Sequence, residues 1–229
     1  MGVAELDNLD IAIYSDIDEL VAVTVPEVIE EIQDGISRNS EFHLVLTGGS
    51  LGVALSIAIA NELNNGDFTG LHIWWSDERF VDLDSNDRND LEFVKSLINH
   101  KVVVRRAPST GNIESLAESF SKDLENVQLD LVIIGVGPDG HVASLFPNAI
   151  YQNEKRKAFA ITNSPKPPAE RITFSLNEIN SADEIWIVAS GDSKREAIEG
   201  FMDGDMNLPV SHLNATRLLV DSAAFGVEE

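Results

Sequence analysis

Short apolar runs, set apart by stretches with helical patterning, constrain this chain more than any other feature. Phe42-His43-Leu44-Val45-Leu46-Thr47, Leu71-His72-Ile73-Trp74-Trp75, Leu129-Asp130-Leu131-Val132-Ile133-Ile134 and Ile185-Trp186-Ile187-Val188-Ala189 have the length and composition of buried strands. Residues 10–15, 101–106, 159–161, 171–175 and 217–220 add further strand candidates. Helical patterns fill the intervals at 17–38, 50–63, a stretch ending near 97, 113–126 and 191–201. Strands alternating with helices predict an α/β chain with a parallel, doubly wound sheet. Asp16 is placed to cap the first helix, and Pro26 inside it predicts a kink or a late start. With no internal repeat and no convincing linker, residues 1–229 read as one domain.

Charge narrows the partners. The chain carries 39 acidic residues against 16 basic ones, a net −23, which argues against nucleic acid. No apolar run is long enough to cross a bilayer, and no basic-then-apolar leader opens the chain, so a cytoplasmic protein is expected. The absence of cysteine excludes disulfides, thiolate nucleophiles and cysteine-held metals. A field this negative repels anions, and only cations within about one Debye length, roughly 8 Å, offset it. Basic residues set into loops are therefore informative.

Several loops that could carry chemistry follow strands, at the sheet edge where open α/β folds bind ligands. Gly135-Val136-Gly137-Pro138-Asp139-Gly140-His141 brings three glycines, an aspartate and a histidine onto one short loop. His141 is the first candidate for a catalytic residue, with Asp139 close enough to orient it, whereas His43, His72, His100 and His212 fit satisfied structural histidines. No second histidine or carboxylate lies at ligand spacing from His141, so no metal is expected there. Gly48-Gly49-Ser50-Leu51-Gly52 fits a phosphate cradle at a helix N-terminus, a plain Gly-rich turn, or a G-x-S-x-G nucleophile elbow. Its place after only the second strand, with no His-Gly-Gly segment before it, favours the cradle. Asp77-Glu78-Arg79 faces the same rim, with a surface ion pair as its ordinary explanation. Lys194 sits just inside a helix N-terminus, where the dipole disfavours a cation unless an anion joins it. Arg171 follows a Pro-rich loop and by itself says little.

Taken together, these loops resemble the 6-phosphogluconolactonase family. The matching segments are Thr47-Gly48-Gly49-Ser50, Trp75-Ser76-Asp77-Glu78-Arg79 with Ser85-Asn86, and Gly135-x-Gly137-x-Asp139-Gly140-His141-x-x-Ser144-Leu145-Phe146-Pro147. Pro167-Pro168-x-x-Arg171-Ile172-Thr173 and Gly191-x-x-Lys194 complete a set in family order over roughly residues 45 to 200. The third segment is specific, and the others persuade by company. Leu51 departs from a common threonine, and residues 208–212 match loosely.

The resemblance implies a Rossmann-like fold with helices on both faces, shared with glucosamine-6-phosphate deaminases and ribose-5-phosphate isomerases. It also implies hydrolysis of 6-phosphogluconolactone without a cofactor, by a monomer or weak homodimer. His141 is then the general base with Asp139 behind it. Gly48, Gly49, Ser50, Asp77, Arg79 and Lys194 form the substrate and phosphate set, with Arg171 a further cation. The deaminase motif continues Asp-Gly-His with Phe-Asn-Glu-Pro, whereas this chain has Ser144-Leu145-Phe146-Pro147, and Arg79 stands where deaminases typically have tyrosine. A serine hydrolase acting through Ser50 and a non-catalytic sugar-phosphate-binding module are the remaining readings.

Overall fold

The structure is a computed structural model that describes residues 8–148 and 154–227. The strands of its main sheet are β1 (Asp10–Tyr14), β2 (Phe42–Leu46), β3 (Leu71–Trp75), β5 (Val103–Val104), β6 (Leu131–Gly135), β9 (Glu184–Ala189) and β10 (Arg217–Asp221). These seven lie in the order β1-β10-β9-β6-β2-β3-β5, and every pairing is parallel. The inner strands β2, β3, β6 and β9 are buried on both faces, which is why their runs are apolar nearly throughout rather than alternating, whereas the edge strands β1 and β5 are largely exposed. Leu44, Leu46, Ile73, Trp75, Ile133 and Val188 pack on one face with α1 (Ile17–Asn39) and α2 (Gly49–Leu63). Val45, Trp74, Val132, Ile134 and Ile187 pack on the other with α4 (Ile113–Asp123) and α6 (Arg195–Met202). Three short helices, α3 (Leu91–Ser96), α5 (Leu176–Ile179) and α7 (Ser222–Phe225), complete the set.

Local chemistry accounts for the first helix. Asp16 accepts from the Glu19 amide at 2.9 Å, and the Glu19 carboxylate accepts from the Ser15 amide at 2.6 Å, so a reciprocal cap starts α1 at Ile17. The helix runs on through Pro26 to Asn39, and the late start expected from that proline does not occur. Pro26 and Ala22 both lie on the exposed face, where water can satisfy the carbonyl that loses its partner.

A second sheet departs from expectation. The sequence reads residues 76–79 as a loop, but Asp77–Arg79 forms β4, which pairs antiparallel with β8 (Arg171–Phe174), and β8 pairs with β7 (Ala158–Ile161). Asp77 and Glu78 are buried, so the triplet is no surface ion pair. Another difference lies at 101–106, where only Val103 and Val104 extend as the edge strand β5.

The topology fixes where a ligand can sit. From β2 the chain proceeds to β3 and β5 on one side, and from β6 to β9 and β10 on the other. The connections leaving β2 and β6 therefore diverge and open a crevice beyond their carboxyl ends. Both Gly-rich loops line it, and the Gly135 amide donates to Thr47 Oγ1 at 3.1 Å, tying one strand end to the other.

Candidate active site

Loop 135–147 is built by its own backbone. The Gly137 amide donates to the His141 carbonyl at 2.8 Å, and the Gly140 amide to the Gly137 carbonyl at 2.9 Å. Gly140 has φ +73°, which glycine adopts without strain. Gly137 is required for space, because a Cβ there would lie 1.8 Å from the His141 ring. Gly137→Ala is expected to displace the imidazole and to lower turnover far more than thermal stability, checked by steady-state kinetics beside a melting curve.

His141 is held from two sides. Its Nδ1 bonds the Asp139 carboxylate, and its ring stacks on Phe146 with centroids 4.7 Å apart. A carboxylate at Nδ1 fixes the proton there and leaves the lone pair on Nε2, in a side chain that lines the cleft. Burial pushes the imidazole pKa down; Asp139 opposes this, while Lys166 adds to it. The net direction favours the neutral ring, the form that can accept a proton. Asp139, despite partial burial, is kept below the usual carboxylate range by His141 and Lys166.

The cleft, of about 300 Å³, gathers the expected cations. In β4 and β8, Arg79 and Arg171 stand directly opposite each other across the antiparallel pair. Like charges in that register repel, so the arrangement favours an anion between or beside them. Arg79 donates through Nη1 to the Asp87 carbonyl, while its buried Nε has no partner among the described residues. Arg171 is committed otherwise: it donates to the carbonyls of Lys166, Pro167 and Pro168 at 3.0 to 3.2 Å and to Ser144 Oγ at 3.3 Å. It lines the cleft, yet its donors clamp the 166–168 segment. Lys194 ends a 3-10 turn (Asp192–Lys194) ahead of α6 and has no ion-pair partner among the described residues. Burial, then Lys166, push its pKa down.

The Gly48-Gly49-Ser50 turn opens α2 with no side-chain cap and no acidic residue in the first turn. A fifteen-residue helix thus presents uncapped N–H groups to the cleft, the arrangement that suits a phosphate. Ser50 is exposed, and no hydrogen bond links it to an imidazole among the described residues, so nothing here activates it as a nucleophile. Asp77 accepts from Ser144 Oγ at 2.6 Å and from Asn89 Nδ2 at 3.2 Å.

Sequence reasoning missed several residues of the site. Lys166 lies 3.2 Å from both Asp139 Oδ1 and His141 Nδ1, yet in the chain it is one lysine in a Pro-rich loop. Asn89 packs over Gly48, where a Cβ would sit 2.0 Å from its Oδ1. Behind it, Asp90 takes bidentate bonds from both Arg88 and Arg106, and Glu78 accepts the amides of Arg79, Asn89 and Asp90. The spacing of basic and acidic residues along 78–106 was the signal available for that network.

Away from the cleft, near the start of β2 and β3, Glu41, His43 and His72 come together closely enough to suggest a cation site. Trp74 Nε1 donates to His43 Nδ1 at 3.1 Å, and Arg105 Nε donates to His72 Nδ1 at 3.2 Å. Each Nε2 then carries the proton and offers no lone pair. Burial, with His72 beside it, pushes His43 down to about 4, so the pair reads as packed neutral rings.

Residues 15–220 match the model of the family described as glucosamine-6-phosphate isomerases/6-phosphogluconolactonase. A Mycobacterium leprae protein named 6-phosphogluconolactonase is 32% identical over 218 residues, covering 86% of this chain and 87% of its own. An Arabidopsis thaliana protein named probable 6-phosphogluconolactonase 1 is 33% identical over 237 residues, covering 93% and 87%. The solved 6-phosphogluconolactonase of Shewanella baltica superposes with a TM-score of 0.83 at 21% identity, over 96% of this chain and 99% of its own. A monomeric glucosamine-6-phosphate deaminase superposes with a TM-score of 0.79 at 16% identity, over 96% and 100%, so the fold is common to both activities. The family match spans most of the sequence and the relatives align along most of their own lengths, and on that ground the chain belongs to the glucosamine-6-phosphate isomerase/6-phosphogluconolactonase family.

Proposed function

We propose that this protein hydrolyses 6-phospho-D-glucono-1,5-lactone to 6-phosphogluconate, the second step of the oxidative pentose phosphate pathway. The observation that carries the reading is His141, held at Nδ1 by Asp139, in a cleft whose other walls hold Arg79, Lys194 and the uncapped start of α2. Relatives at about a third identity bearing the 6-phosphogluconolactonase name support it. So does the segment after His141: Ser144 is spent on Asp77, and Leu145 and Phe146 are buried, with no carboxylate where a deaminase has its glutamate.

The chemistry needs one proton carrier. Nε2 of His141 takes a proton from water as the oxygen attacks the lactone carbonyl. The resulting imidazolium gives that proton to the ring oxygen as the carbon–oxygen bond breaks, and the acid ionises in solution. Asp139 holds the tautomer and offsets the transient charge, as the carboxylate of a Ser-His-Asp triad does. General base catalysis contributes about 10²–10⁴-fold, and a phosphate held by Arg79, Lys194, Gly48, Gly49 and Ser50 fixes the carbonyl against the water.

A coupled assay of 6-phosphogluconate formation, corrected for spontaneous hydrolysis, tests the reading directly. Absence of enzyme-dependent product would overturn it. Arg79→Ala and Lys194→Ala are each expected to raise KM about tenfold to a hundredfold, the loss of one charge-assisted contact worth roughly 1.5–3 kcal/mol, with kcat changed much less.

A further inference from the structure

We propose that the Lys166 ammonium, reaching in from the segment between β7 and β8, shares Asp139 with His141 and thereby sets the charge of the imidazole. The inference deepens the reading of His141 as the base, and Lys166 acts in it as a positioning residue.

The geometry is a three-way contact. Asp139 Oδ1 faces His141 Nδ1 and, at 3.2 Å, Lys166 Nζ, while Nζ also stands 3.2 Å from Nδ1. The contact with the carboxylate places the proton on Nδ1, so the ammonium cannot donate to that nitrogen. It is then a cation held against the ring, and it opposes a second proton arriving at Nε2. Lys166 is fixed there by its surroundings. Its carbonyl accepts from Arg171 Nη2 at 3.0 Å, its amide donates to Ser164 Oγ at 3.3 Å, and its Nζ lies 5.7 Å from the centre of the Phe146 ring. His141 stacks on that same ring, so Phe146 carries both groups.

Burial is the largest influence that keeps the imidazole neutral, and among the charges around the ring Lys166 is the cation that adds to it. Asp139 on its own loop and Asp77 on β4 both favour imidazolium. Arg171 on β8 lies 6.0 Å from the Phe146 ring centre, with its donors committed to the 166–168 segment and Ser144, and Lys194 approaches from its turn toward Lys166 and Asp139. Without Lys166, two carboxylates face the ring and the cation nearest Nδ1 is gone. Burial then opposes them alone, the midpoint rises, and less of the ring is neutral at the acid end of the working range. With Lys166 present, the ring starts neutral and the imidazolium formed in the first half of the reaction releases its proton readily in the second. Asp139 orients; Lys166 limits the charge that orientation would otherwise stabilise.

The test reads the ring itself. The His141 imidazole is titrated by NMR on histidine-labelled protein, its resonance identified by its loss in His141→Ala, in wild type, Lys166→Met and Lys166→Arg. The Lys166 side chain is 43% exposed, so neither change burdens the fold. The expected result is a midpoint that moves up in Lys166→Met and returns close to wild type in Lys166→Arg. The acid limb of kcat/KM should move with it, making the Lys166→Met defect on the order of tenfold larger near pH 6 than near pH 8. An unmoved midpoint in Lys166→Met overturns the proposal, as does a midpoint raised equally in both variants, since charge would then not be the cause. A pH-independent rise in KM with an unmoved midpoint assigns Lys166 to substrate binding instead. Titration needs no turnover, so failure of the lactonase reading shows separately, as a wild-type protein that yields no product.

Discussion

His141→Ala is expected to lose about 10²–10⁴-fold in kcat on 6-phosphogluconolactone while KM changes little. The ring takes the proton from the attacking water and returns it to the leaving ring oxygen, whereas Arg79, Lys194 and the start of α2 hold the phosphate on other elements. The loop should survive the change. Its hydrogen bonds run between the backbones of Gly137, Gly140 and His141, and the Val210 amide donates to the Gly140 carbonyl at 3.0 Å. Loss of the side chain leaves Asp139 with Lys166 as its partner, so no buried carboxylate is stranded. Asp139→Asn serves as the companion. It keeps the shape, but an amide no longer distinguishes the tautomers and no longer offsets imidazolium, so kcat falls while the ring remains. Near-normal kcat in His141→Ala would remove the mechanism, and a Ser50→Ala loss of comparable size would revive the nucleophile reading.

The contrast between His141 and Lys166 defines what the sequence made legible. His141 announces itself because its loop is punctuated by glycines and follows an apolar strand, both local signals. The seven-stranded sheet was legible for the same reason, since parallel strands buried on two faces leave continuous apolar runs. β4 was not, because Asp77-Glu78-Arg79 has no strand composition; it is extended by pairing with β8, nearly a hundred residues on, and its buried charges are satisfied by Asn89, Arg88 and Ser144. Lys166 belongs to that class. The clamp of Arg171 on the carbonyls of residues 166–168 brings it to Asp139, and no spacing in the chain encodes that fold-back. Arg171, the further cation that the resemblance implies, lines the cleft and also spends donors on building the wall that presents Lys166.

Asp90→Ala is expected to destabilise the protein by about 3–5 kcal/mol, the usual consequence of breaking a buried ion pair from one side. For a chain of this length that lowers Tm by about 6–20 °C, measurable by calorimetry. Asp90 is fully buried and receives two bonds from Arg88, at 2.9 and 2.7 Å, and two from Arg106, at 2.7 and 2.9 Å. Removing it leaves Arg88, itself inaccessible, with Glu78 at 3.6 Å as its remaining ionic partner. The variant should also alter how stability depends on pH. Burial, opposed by Arg88 and aided by Asp90, pushes Glu78 up to about 7. A carboxyl whose folded pKa is raised contributes stability that is full below its unfolded pKa and is lost as pH rises through the folded value, here between about 4.5 and about 7. Without Asp90, Arg88 turns wholly to Glu78, its folded pKa falls, and that loss flattens. Asp90 itself, which Arg88 and Arg106 hold below the usual range against the opposing pull of burial, contributes in the opposite sense, with stability lost only as pH falls through its depressed value. The wild type should therefore lose stability more steeply than the variant as pH rises through that Glu78 window. The network also bears on the cleft, because the Glu78 carboxylate ties the amides of Asn89 and Asp90 to β4, and Asp87 in the same segment accepts from Arg79. Asp90→Ala should thus raise KM in the folded fraction while kcat changes much less, since the network reaches the loop of His141 and Asp139 only at Ser144, through Asn89 and Asp77. A parallel fall in kcat would mean instead that the arginines on β4 and β8 and the base on the β6 loop move as one body.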